Sequence, residues 1–93
     1  MIRSFGDKAT ERIWNEQFTK SVDPTVQRVV LRKLEILHAA RDVEDLRIPP
    51  GNRLEKLVGD RQGQHSIRVN AQWRICFVWR GGGADDVELV DYH

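Results

Sequence analysis

Cysteine is nearly absent from the chain. With Cys76 alone, no internal disulfide can form. The three histidines, His38, His65 and His93, are scattered, and together with one thiol they offer no metal-ligand spacing. Long apolar runs are missing as well. The longest, Ile75-Cys76-Phe77-Val78-Trp79, is far too short to span a bilayer. The opening residues Met1 to Lys8 lack the apolar core of a secretory signal, which points to a cytoplasmic protein. Net charge is close to zero at +1, so the total indicates no partner.

What is present fits one folded domain over residues 1–93, large enough for a single modest core. Hydrophobic residues at 40% and charged residues at 31% belong to an ordinary globular chain rather than a disordered one. The charge is unevenly spread. Residues 1–46 balance to zero, residues 47–80 carry +5 and residues 81–93 carry −4. A basic segment followed by an acidic strand marks a polyanion site inside a neutral envelope.

The hydrophobic periodicity gives the order of elements. Ile2-Arg3-Ser4-Phe5 alternates as a short opening strand. Asp7 is a suitable cap for a first amphipathic helix over residues 8–19, with Ile13, Trp14 and Phe18 on one face. Asp23 and Pro24 open a second helix running to about Ala40, whose buried stripe is Val26, Val29, Val30, Leu34 and Leu37. Ile48-Pro49-Pro50-Gly51-Asn52 marks a loop. Four strand-like segments follow: 54–58, 65–69, 73–80 and 87–93, joined by turns short enough for hairpins. The expected fold is α+β, a helical hairpin packed on one face of an antiparallel meander. Trp73–Arg80 is apolar on both phases and should be the central strand, with Arg74 on the face away from the helices. Arg68 and Ser66 can point the same way.

The last three residues given, Asp91-Tyr92-His93, are an acid, a phenol and an imidazole. Beside fixed cations, such groups are what phosphodiester cleavage without a metal requires. A chain end is also where loose structure is the default. Cys76 reads as a small buried residue, and the tryptophans Trp14, Trp73 and Trp79 read as core.

The segments Pro49-Pro50-Gly51-Asn52-Arg53-Leu54-Glu55-Lys56-Leu57, Gly59-Asp60-Arg61, Ser66-Ile67-Arg68-Val69-Asn70, Trp73-Arg74-Ile75-Cys76-Phe77 and Asp91-Tyr92-His93 resemble the HigB branch of the RelE-like toxins. Phe5-x-Asp7-Lys8 followed by Ile13-Trp14 fits the same branch, so the resemblance covers essentially the whole chain. It implies the toxin of a type II toxin–antitoxin pair, a metal-independent and ribosome-dependent endoribonuclease (mRNA interferase) that needs no cofactor. The implied partners are a HigA-type helix-turn-helix antitoxin, mRNA in the ribosomal A site, and operator DNA reached through the antitoxin. Family positions place catalysis on Asp91, Tyr92 and His93 and sheet-face cations on Arg68, Arg74 and Lys56. Arg53 and Arg61 join Lys56 as RNA- or ribosome-binding charges. Where some members carry a histidine, this chain has Glu55. The general base is therefore open between Glu55 and the pair Asp91 and His93.

In such a reaction the RNA supplies its 2′-hydroxyl as nucleophile. The protein supplies a base, an acid for the departing 5′-oxygen, and cations for the charge developing on phosphorus. His93 or Asp91 suits the proton transfers, Tyr92 can stack on a base or donate its hydroxyl, and Arg68 and Arg74 can grip phosphate through two hydrogen bonds each. On this reading, loss of Arg74 should cut activity while barely moving stability. Two other readings compete: a toxin of the same fold that inhibits a protein such as DNA gyrase, as the ParE branch does, and a binding module without activity.

Overall fold

The computed structural model describes residues 1–17 and 19–91. Helix α1 covers Lys8–Trp14, with the Asp7 side chain accepting from the Thr10 amide at its start. It ends earlier than its hydrophobic spacing promised, because Glu16 turns into the left-handed region at φ 58° and breaks the helical path. No glycine announces that stop in the sequence. Phe18, expected on the same stripe, lies outside the described residues. Helix α2 covers Pro24–Ala39, capped by Asp23, and buries Val30, Leu34 and Leu37 fully while Val26 and Val29 are half-buried. That three-four spacing is one face of a helix.

The expected loop over 48–52 is preceded by one short turn and contains another. Residues Val43–Arg47 form a 3-10 turn held by reciprocal Asp42 and Asp45 contacts, and Leu46 within it is completely buried. A second short turn, Pro50–Asn52, follows the cis Ile48-Pro49 peptide.

Four strands then make an antiparallel meander in the order β1 (Glu55–Lys56), β2 (His65–Arg68), β3 (Trp73–Arg80) and β4 (Gly83–Asp91). β3 is an interior strand, as its two-phase apolar pattern predicts. β1 is shorter than the expected 54–58. β4 is longer, starting at Gly83 rather than Val87. The hairpin turn is only Gly81-Gly82, at φ 57° and 77°. Two successive positive-φ residues are what a two-residue hairpin needs, and glycine supplies them without strain. Opposite Phe77 the ladder bulges, with Asp86 at φ 54°.

The opening segment is not a strand of its own. Ile2 and Phe5 make isolated parallel bridges to Ala84 and Val87, and with the Leu89 amide donating to the Thr10 hydroxyl they cover the outer edge of β4. Ile67, Ile75, Phe77, Val87 and Leu89 face the helices and pack against Ile13, Val30, Leu34 and Leu37 in one core. Alternation therefore turns the neighbouring residues to the opposite face of the sheet, the one away from the helices.

Candidate nucleic-acid interface and active site

Register fixes which side chains share that open face. Glu55 lies opposite Ser66, Ser66 opposite Cys76, and Cys76 opposite Glu88. One row along, Arg68 lies opposite Arg74, and Arg74 opposite Val90. Directly opposed residues of an antiparallel pair point to the same side. Two arginines are thus opposed on adjacent strands, at the end of the sheet where β2 finishes, β3 begins and β4 finishes. Like charges so placed cost stability unless something anionic shares the space.

Arg74 is held firmly. Its Nε donates to the Ser66 hydroxyl at 2.8 Å, and its Nη2 donates to the Arg53 carbonyl at 2.8 Å and, at 3.5 Å, to the Ser66 carbonyl. The Glu55 carboxylate is 3.8 Å from the same Nη2. Only 7% of the residue is exposed. The expectation that its removal would barely move stability is therefore corrected, since truncation leaves a fully buried hydroxyl and a carbonyl without their donor. The Arg53 carbonyl reaches Arg74 because Arg53 itself sits in the left-handed region at φ 44° and ψ 58°.

The other expected site residues divide between the two faces. Arg68 is half-buried on the open face. Arg61, carried over the sheet by the turn Gly59–Arg61, donates to Glu88 at 2.7 Å and to Gln64 at 3.1 Å, so it meets the face as half of an ion pair. Arg53 and Lys56 are exposed. Lys56, expected among the sheet-face cations, pairs with His65 and so alternates to the side of His65 and Phe77, away from Arg74. Asp91 pairs with Trp73, so it too alternates to the helix side of the sheet, and its carboxylate accepts from Gln72 at 3.2 Å. Tyr92 and His93 lie outside the described residues. Among those described, Glu55 is the expected acid–base residue that shares the face of Arg68 and Arg74. No cluster of three potential metal-ligating side chains occurs among the described residues.

Burial sets the protonation of the remaining groups. The Cys76 thiol, fully buried on the open-face side, is pushed up by burial and stays a neutral packing residue. His65 stacks on Phe77 at 6.2 Å, and burial, then Lys56, push its pKa down. It reads as a structural residue at the start of β2. His38, exposed in the last turn of α2, accepts from the Ile2 amide at its Nδ1, and its ring lies 5.1 Å from that of Trp14.

A helical hairpin on one face of a four-stranded antiparallel meander is the RelE-like class of toxin fold. The structure aligns with the YoeB-YefM complex from Staphylococcus aureus at a TM-score of 0.63, covering 100% of this chain and 98% of that one at 12% identity. Residues 3–93 match the model of a family described as the RelE-like toxin of type II toxin-antitoxin system HigB. Toxin HigB-1 of Vibrio cholerae is 45% identical over 85 residues, 90% of each chain. Endoribonuclease HigB of Proteus vulgaris is 32% identical over 97 aligned positions spanning both chains completely. The chain belongs to the HigB-like toxin family, and so to the toxins that pair with an antitoxin.

Proposed function

We propose that this chain is a metal-independent endoribonuclease that cuts mRNA in the ribosomal A site and is neutralised by a HigA-type helix-turn-helix antitoxin, through which it reaches operator DNA. The observation that carries this reading is the opposition of Arg68 and Arg74 across β2 and β3 with Glu55 alongside. Two fixed cations side by side suit a phosphodiester, whose charge offsets the repulsion between them. The relative named as an endoribonuclease supports the same chemistry.

Glu55 then acts as the base that takes the 2′-hydroxyl proton, and His93 as the acid that protonates the leaving 5′-oxygen. Arg74 and Arg68 stabilise the charge gathering on phosphorus, an effect that is large where donors are fixed in advance. Tyr92 stacks on a base beside the scissile bond. The cytoplasm is where such a toxin meets its ribosomes.

The test is to map mRNA ends after brief induction of the wild type and of a chain lacking His93. Cuts within translated codons that vanish in the deletion are expected. Toxicity with intact mRNA would overturn the ribonuclease reading in favour of a protein target such as gyrase.

A further inference from the structure

We propose that Ser66 is a positioning residue for Arg74, setting the plane in which its guanidinium meets phosphate. This rests on the ribonuclease reading above. Ser66 sits within β2 with no exposed surface, flanked across the ladder by Glu55 and Cys76. Its hydroxyl accepts from Arg74 Nε at 2.8 Å, while the Arg53 carbonyl accepts from Nη2 at 2.8 Å. Nε and Nη2 lie on one edge of a planar, rigid fork, so two acceptors along that edge fix both the direction of the side chain and the roll of its plane. The Ser66 carbonyl, 3.5 Å from Nη2, lies on the same edge, so Ser66 supplies both the acceptor at Nε and a weaker one at Nη2. Aim matters because a misplacement of about 1 Å can cost about 10²-fold in rate.

The second acceptor is itself built in. Asn52, also without exposed surface, donates to the Leu46 and Ile48 carbonyls at 3.1 and 3.3 Å and accepts from Lys33 at 2.5 Å. That anchors the loop to α2 next to Arg53, whose left-handed backbone turns its carbonyl onto Arg74. The protein thus spends a non-glycine positive-φ residue, which carries strain, and a buried hydroxyl on one arginine. A serine kept only to fill space would not need its oxygen placed on Nε.

The experiment is a double-mutant cycle on single-turnover cleavage of a short mRNA held on purified ribosomes, with thermal unfolding followed in parallel. Ser66→Ala should slow cleavage by about 10-fold with little change in half-saturating toxin concentration, because orientation acts on the transition state. In an Arg74→Lys background the same change should have less than about a 2-fold effect, since lysine has no Nε fork to orient. Ser66→Thr, which retains the oxygen, should restore the rate. If Ser66→Ala fails to fold, Ser66→Cys is the substitute, of similar size but a weak acceptor. Equal loss in both backgrounds, or loss with Ser66→Thr as large as with Ser66→Ala in a folded protein, overturns the positioning role. If Arg74→Lys itself leaves cleavage unchanged, the ribonuclease reading of the arginine falls, and the positioning role falls with it.

Discussion

Arg74 is built into the fold by its hydrogen bonds, and the proposed function gives it a second role in the reaction. Removing it should lower cleavage by about 10²–10³-fold, by analogy with the loss of a preorganised oxyanion donor. The burial of its partners adds a stability cost of about 1–3 kcal/mol for the acceptors left behind. Arg74→Ala should therefore show both effects, seen as a lost cleavage rate in a protein that remains folded well below its shifted Tm. A variant with full activity would remove Arg74 from the site. Glu55 separates the two roles more cleanly, because it is exposed and its contact with Arg74 is long at 3.8 Å. Glu55→Gln should lower the rate by about 10²–10⁴-fold, the usual range for a general base, with Tm almost unmoved. An unchanged rate would pass the base role to another group.

At the level of elements, the edge of β4 depends on the opening segment being clamped to the Gly81-Gly82 hairpin. Arg3 donates to the Arg80 carbonyl and to Asp85 at 2.9 Å, and Arg80 joins the same carboxylate at 3.1 Å. Gly83 makes room for this clamp. A Cβ there would stand 2.8 Å from Arg3 Nε, 3.0 Å from its Cζ and 3.1 Å from the Met1 carbonyl oxygen. Gly83→Ala should therefore push Arg3 off its partners and destabilise the fold by about 1–3 kcal/mol, as overpacking usually does. Chemical denaturation measures it, and an unchanged midpoint would mean that the clamp yields at no cost. The sequence hid this feature. The hairpin turn expected between residues 80 and 87 shrinks to Gly81 and Gly82, and Gly83 is already strand.

For the whole molecule, stability should depend on pH in a window set by His65. Burial and Lys56 depress its folded pKa below the unfolded value of about 6.5. Between those two values the unfolded chain binds more protons, so stability rises with pH there and the penalty is complete below the folded pKa. The unfolding free energy should fall on acidifying from pH 7, and His65→Leu should flatten that slope. A second loss at lower pH belongs to Asp85, whose carboxyl Arg3 and then Arg80 hold below its ordinary value. The stability it contributes is present above the ordinary carboxyl range and disappears as pH falls through the depressed value. An Asp85→Asn variant with an unaltered acid limb would exclude this pair of contacts.

Much of the architecture was legible because it follows from local rules. Asp23 and Pro24 at the start of α2, the stripe Val30, Leu34 and Leu37, and the two-phase apolar run of β3 each state their structure within a few residues. From alternation alone, Arg68, Arg74 and Ser66 could be assigned to one face. Other features were decided only by long-range packing. The left-handed turns at Glu16 and Arg53 carry no glycine to announce them. The face taken by Lys56 and Asp91 depends on register with β2 and β3, and moving a strand by one residue reverses every side chain on it. The sequence by itself determined the elements, their order and the basic character of one sheet face. The tertiary structure decided which carboxylate stands beside the arginines and which buried oxygens aim Arg74, because strand register and backbone strain are settled by contacts between residues far apart in the chain.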